Sequence, residues 1–185
     1  MKGNQKCVEI LLNKNAEIDL ATERGWTPFL ISCSRGYLEI CKLLHSKGAN
    51  INTSENCLST PLHVACREKH ENIVRFLVQH NADINVVNTK RETSLYIACV
   101  KESFDIVELL LSYHADVNMC EEEGNSPLHA ACLKENKKIV QLLLDKKPDI
   151  YKRNKAGKSP CDVVQHVQGR DGHVIVKMLN RYKTK

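Results

Sequence analysis

Aromatic side chains are scarce in this chain. Three Phe, five Tyr and one Trp make up 5% of its 185 residues. A core of any size must therefore be built from Leu, Ile, Val, Ala and Cys. No apolar run approaches the roughly 18 residues that cross a bilayer as a helix. The opening stretch, Met1-Lys2-Gly3-Asn4-Gln5-Lys6, lacks the apolar segment of a secretory leader. Also missing are a Gly-rich phosphate loop, an H-E-x-x-H pair and a paired-carboxylate motif, so no sequence signature speaks for nucleotide, metalloprotease or acid–base chemistry. Proline is rare too, at five residues, but four of the five fall in a strict register.

What is present is a globular balance, 42% apolar and 26% charged, in a chain long enough for one domain with an adequate core. The nine cysteines are an odd number in a chain long for a disulfide-stapled scaffold. Several fall inside apolar helical stretches, where free Cys acts as a small hydrophobe. They read as reduced thiols and predict an intracellular protein of the cytoplasm, with the nucleus also open. Charge is uneven. Residues 146–185 carry 11 basic and three acidic groups, a net +8, whereas residues 1–145 carry −3.

Pro28, Pro61, Pro127 and Pro160 are spaced by 33, 66 and 33, and Ser94 stands where the missing member would be. Other columns keep the step of 33: Ser32, Ala65, Ala98 and Ala131; Cys33, Cys66, Cys99 and Cys132; Val8, Cys41, Val74, Val107 and Val140; Leu11, Leu44, Leu77, Leu110 and Leu143. Thr or Ser followed by Pro is a helix start, the hydroxyl capping free amides and Pro fitting the first helical position. Each unit then predicts a short helix such as Pro61 to Lys69, a turn, and a second helix with apolar residues at i, i+3 and i+4, as at Ile106, Val107, Leu109, Leu110 and Leu111. Gly48, Asn81 and His114 mark second-helix ends, and segments such as Asn85 to Arg91 lead onward as extended loops.

With Ser59-Thr60-Pro61-Leu62-His63 and Asn125-Ser126-Pro127-Leu128-His129 in view, the chain resembles the ankyrin repeat family, whose 33-residue unit carries a Thr-Pro-Leu-His-x-Ala core. The resemblance covers nearly the whole chain. It implies an all-α solenoid of stacked helix-turn-helix units joined by β-hairpin-like loops, in a single domain over 1–185. Full repeats are expected at 22–54, 55–87, 88–120 and 121–153. Residues 1–21 supply a partial N-terminal repeat, with Gly3 aligned to Gly36, as if cut from a longer array. Residues 154–185 form a capping repeat whose second helix slips by two in the Gln168–Gly172 turn: Ile175, Met178 and Leu179 then match Val140, Leu143 and Leu144, and Lys177 faces water in place of Leu142. The sequence departs from the family pattern where Leu58 and Arg91 replace the hairpin glycine (kept at Gly25, Gly124 and Gly157). It departs again where Lys69, Glu102 and Glu135 replace the inter-helix glycine (kept at Gly36), and where Ser94 and Tyr96 replace Pro and His. Local weakening is expected, most of all in 88–120.

The constellations that suggest chemistry fall in these columns. His63 with Cys66, and His129 with Cys132, are three apart on a helix and could face one way as zinc ligands. The family pattern instead implies that each His bonds to loop groups next door and that Cys fills a core slot. Equivalent columns lie about 10 Å apart, too far for one metal or a disulfide. Cys57 and Cys120 are the thiols expected in exposed loops, and neither has a His nearby in sequence. The chain therefore reads as no enzyme, with no cofactor and no metal.

The resemblance implies a binding surface made of hairpin tips and the concave face of the first helices. On those rows the expected partner-binding residues are Arg24, Trp26, Arg35, Arg67, Lys90, Val100, Lys101, Glu122, Glu123, Asn125, Leu133 and Lys134. Trp26 is the single Trp, at a tip; Trp is enriched in interface hot spots. Val87, Val100, Cys120 and Leu133 suggest an apolar patch at positions normally polar. Glu121-Glu122-Glu123 reads as a solvated acidic tip or as a contact for a basic partner. The function expected is binding of another protein or peptide by a monomer. Two alternatives remain: a recognition segment of a larger enzyme or channel, and nucleic-acid or anionic-membrane association through the basic end. The second is the weaker, because aromatic interleaving and nucleic-acid motifs are lacking.

Overall fold

A hydroxyl one residue ahead of each first helix decides where that helix begins. In the computed structural model, which describes residues 4–165 and 171–183, Thr27 accepts the Leu30 amide at 3.2 Å, Thr93 the Tyr96 amide at 3.1 Å and Ser126 the His129 amide at 3.4 Å. Proline follows at Pro28, Pro61 and Pro127, where its missing N–H costs nothing. Eleven helices result among the described residues: α1 (Gln5–Asn13), α2 (Pro28–Arg35), α3 (Leu38–Ser46), α4 (Pro61–Arg67), α5 (Glu71–Gln79), α6 (Ser94–Val100), α7 (Phe104–Ser112), α8 (Pro127–Leu133), α9 (Lys137–Asp145), α10 (Pro160–Gln165) and α11 (Gly172–Lys183). The described residues contain no strand. The loops that resemble hairpins are tight turns rather than ladders.

The chain divides into two compact units, the first ending at Asp83 and the second beginning at Ile84. In the first, α2 packs on α3 and α4, α4 on α5, α1 on α3 and α3 on α5. In the second, α6 packs on α7 and α8, α8 on α9 and α10, α7 on α9, and α11 on α9 and α10. Each unit is thus a row of first helices laid against a row of second helices. The small columns sit between them: Ala65, Ala98 and Ala131 are fully buried beside Cys66, Cys99 and Cys132. All of these cysteines are free.

Polar side chains carry the step from one repeat to the next. Asp19 accepts the Asn50 amide at 3.3 Å, Asn52 the Asp83 amide at 3.0 Å, Asn85 the Asp116 amide at 2.9 Å and Asn118 the Asp149 amide at 2.9 Å. The next member of this column is Tyr151, which is exposed. The non-glycine substitutions noted in the sequence keep the glycine conformation. Leu58, Arg91, Lys69, Glu102 and Glu135 all hold φ between 52° and 60°, a left-handed geometry that strains a residue with a Cβ. Gly36 is pinned by sterics: an added Cβ would lie 2.9 Å from the His70 ring, whose Nε2 donates to Ser34 O at 3.0 Å.

Between residues 88 and 120 one buried polar group is left unsatisfied in the proline column. Ser94 is fully buried there and its hydroxyl has no hydrogen-bond partner. On α11, Ile175 and Leu179 are buried, Met178 is half-buried and Lys177 is exposed. Residues 168–170 of the Gln168–Gly172 turn, and Gly3, lie outside the described residues.

Candidate binding surface

One column, unread in the sequence, builds the turn tips. Thr22, Glu55, Asn88, Glu121 and Asn154 stand 33 apart and share only a side-chain oxygen. Each oxygen bonds amides of its own turn: Thr22 takes the Trp26 amide at 3.2 Å, Asn88 those of Lys90 and Glu92 at 2.9 and 3.0 Å, and Asn154 that of Lys158 at 3.0 Å. Glu55 takes the Cys57 and Ser59 amides at 2.9 and 3.1 Å. Burial pushes its carboxyl upward, and these amides outweigh that and hold it below its usual range. Residues of different type that each carry an acceptor oxygen do one job, which conceals the column from a search by residue identity. Its findable mark is an oxygen-bearing side chain three residues ahead of each hairpin Gly, Leu58 or Arg91.

Glu121 belongs to this column, which corrects its reading as part of a solvated acidic tip. Its carboxylate turns inward onto the Glu123 and Asn125 amides, both at 2.9 Å. Glu122 and Glu123 are the exposed members. Asn125 is engaged on both sides, donating to Glu121 at 2.8 Å and accepting from Asn154 at 2.8 Å. Neighbouring tips are also stitched by backbone: the Asn56 amide donates to Arg24 O at 3.2 Å, Glu122 to Lys90 O at 2.9 Å and Lys155 to Glu123 O at 2.9 Å.

Of the residues expected to meet a partner, the first unit holds Arg24 and Arg35, both exposed, with Trp26 and Arg67 half-buried. The second unit holds Lys90, Lys101, Lys134, Glu122 and Glu123, all exposed, and Leu133 at 56% exposure. Val87, Val100 and Cys120 are only half-buried, so of the suggested apolar patch Leu133 alone stands out from the surface. Cys120 is not the exposed loop thiol expected. Its Sγ donates to Asn118 O at 3.5 Å, and burial pushes the thiol above its usual value. Cys57 is exposed, and so is Cys7 on α1.

The His columns do structural work. His129 Nδ1 accepts the Ser126 amide at 3.1 Å while Nε2 donates to Lys158 O at 3.0 Å. That pattern requires the neutral Nε2–H tautomer, and burial keeps the pKa below the ordinary imidazole value. His63 likewise receives the Thr60 amide at 3.2 Å. With both ring nitrogens of His129 engaged, no lone pair is left for a metal. Among the described residues no group of three or more His, Cys, Asp or Glu is arranged to hold a metal ion. The Cys132 thiol beside His129 is pushed far up by burial, the opposite of what a nucleophile needs.

The basic end is partly neutralised from within. Arg153 donates to Gly157 O at 2.6 Å and reaches Asp162 at 3.3 Å, Lys152 donates to Asn118 O at 3.2 Å, and Lys155 pairs with Glu123 at 3.5 Å. No helix among the described residues is long and apolar enough to cross a membrane.

Stacked helix pairs and braced tips define a repeat protein of the interaction-module class. Comparison with known families agrees: residues 1–88 and 82–154 match the family model described as ankyrin repeats (3 copies). The chain belongs to the ankyrin-repeat family. Over 44 residues, 24% of this chain, it is 44% identical to protein phosphatase 1 regulatory subunit 27 of Homo sapiens, and to the Mus musculus protein of the same name over the same length. The aligned stretch spans 29% of those relatives.

Proposed function

We propose that this chain recognises another protein through the outward side chains of its turn tips and the exposed ends of its first helices, with no chemistry of its own. The observation that carries this reading is the contrast at each tip. The backbone is bonded three times over, to its own turn, to a side-chain oxygen and to the neighbouring tip, while Arg24, Lys90 and Glu122 project freely. A surface fixed before contact loses little conformational entropy on binding. Arg24, Trp26, Arg35 and Arg67 would form its part in the first unit. Lys90, Val100, Lys101, Glu122, Glu123, Leu133 and Lys134 would form its part in the second, with Asn125 holding two tips together. We take 1–185 as one binding domain with repeats at 22–54, 55–87, 88–120 and 121–153, a partial repeat before them and a cap after. Nine free thiols suit a reducing intracellular compartment.

The named relatives are regulatory subunits of protein phosphatase 1, and the phosphatase 1 catalytic subunit is the first partner to try. The test is affinity capture from a cell extract on the immobilised full chain, repeated with Trp26→Ala and Leu133→Lys. Loss of a captured protein with either change is the expected result. A set of captured proteins unaltered by both would overturn this placement of the surface.

A further inference from the structure

Within the second unit, one stretch of the first-helix row has a chemistry that the first unit lacks. α6 ends on Val100 and is capped by Lys101; α8 ends on Leu133 and is capped by Lys134. The two helices pack side by side, so the pairs repeat in register about 10 Å apart. The same columns in the first unit read Ser34-Arg35 and Arg67-Glu68. Leu133 is 56% exposed, an unusual state for a Leu closing a packed helix, and Val100 is half-buried in the equivalent place. The aliphatic stems of Lys101 and Lys134 extend that apolar strip while their ammonium groups stay in water.

The charges around the strip are of one prevailing sign, because the acids nearby are mostly occupied. Lys90, Lys101 and Lys134 are exposed and make no side-chain hydrogen bond or ion pair among the described residues. Glu121 is turned onto its own turn amides, and Glu123 pairs with Lys155. The Glu135 carboxylate lies against Gly172 at the start of α11, its Oε1 3.0 Å from where a Cβ on that glycine would sit. Glu102 and Glu122 are the exposed acids that remain.

Resting on the binding role proposed above, we infer that the Val100–Lys101 and Leu133–Lys134 strip takes an acidic linear segment of a partner protein. An apolar side chain of that segment sits on Leu133 and Val100, and flanking carboxylates meet Lys101, Lys134 and Lys90. The apolar contact supplies affinity, and the cations select the partner and speed its approach.

The test uses random linear peptides displayed on phage, selected against the full chain. Enriched sequences should carry Asp or Glu on both sides of Leu, Ile, Met or Phe. A synthetic peptide of that sequence should bind about tenfold more weakly or worse to Leu133→Asp, and likewise to the double change Lys101→Glu with Lys134→Glu. Lys138→Glu, exposed on α9 away from the strip, should leave the affinity within about twofold. Thermal melts by circular dichroism should keep all variants folded, because every altered side chain is exposed. Selection against the doubly charge-reversed chain should yield basic peptides instead. Peptides that depend on Leu133 but carry no acids would overturn this inference and leave the broader binding role standing. Binders indifferent to every variant would overturn both, and a library with no binder would overturn the linear segment as occupant.

Discussion

The two units use one set of columns and finish them differently. In the leucine column Leu44 and Leu77 of the first unit are 0 to 1% exposed, and so are Leu110 and Leu143 of the second, while Leu11 on α1 is 58% exposed. Ile10 beside it is equally open and α1 contributes no buried residue. At the far end of the second unit α11 places Ile175 and Leu179 in full burial against α9 and α10. The same apolar spacing thus makes a core helix or an exposed one, depending on whether a first helix lies beside it. None precedes α1 among the described residues. Periodicity assigns a face to a helix; burial requires a neighbour for that face.

The largest break of the comparison is a truncation in that column. Leu143→Ala should cost about 3 kcal/mol, through lost transfer energy and an unfilled cavity. Leu11→Ala should cost under about 1 kcal/mol, because water already reaches the site. Urea denaturation of each variant of the full chain gives both values, and equal costs would mean that Leu11 is covered in solution.

A second break falls on the capped helix of the second unit. His129→Phe leaves the Ser126 amide and the Lys158 carbonyl without partners and should cost about 2 kcal/mol. The histidine also predicts a pH dependence. Its folded pKa lies below the ordinary imidazole value of 6.5, so the folded state resists the proton that the unfolded chain accepts. Its contribution is full above pH 6.5, the unfolded pKa, and declines as pH falls from there towards the depressed folded value. Denaturation midpoints at a series of pH values, compared between wild type and His129→Phe, should show that decline in the wild type and a smaller one in the variant.

Smaller and opposite in sign are two repairs, one in each unit. Ser94→Pro restores the column's own residue where Thr93 is already extended at ψ 163°, and removes a buried hydroxyl without a partner. Leu58→Gly relieves a left-handed residue that is 53% exposed and so has little packing to lose. Each should stabilise by about 0.5–1 kcal/mol, seen as a raised denaturation midpoint. A fall with Ser94→Pro would mean that its amide is bonded in solution.

The smallest effect is expected at Cys41, whose Sγ lies 3.5 Å from that of Cys33 and 3.0 Å from Ser32 Oγ. Val occupies this column at Val74, Val107 and Val140, all fully buried. Cys41→Val should therefore change stability by no more than about 0.5 kcal/mol. A larger loss would show that the thiol contacts matter to the first unit.

Much of this was legible beforehand, because a repeat states its geometry several times. Pro28, Pro61 and Pro127 mark helix starts, Ala and Cys columns mark close helix contacts, and the His column marks bonds to the next loop, as His129 makes to Lys158. The bracing column at Thr22, Glu55, Asn88, Glu121 and Asn154 was not legible, because the turn selects an oxygen at the right distance rather than a residue type. Glu121 was misread for that reason, and Cys120 because a loop position was taken to imply exposure.

By itself the sequence determined the all-helical repeat, its period, its core columns and the absence of familiar catalytic motifs, since each follows from spacing along the chain. Tertiary structure alone decided which surface side chains are held by neighbours and which are left outward. Glu121, Glu123, Glu135 and Asn125 are drawn aside by groups about 30 residues away or by their own turns, whereas Lys90, Lys101, Lys134 and Leu133 are left outward. Charge and exposure at a surface depend on the distances between side chains of neighbouring repeats, and those distances are set only when the helices stack.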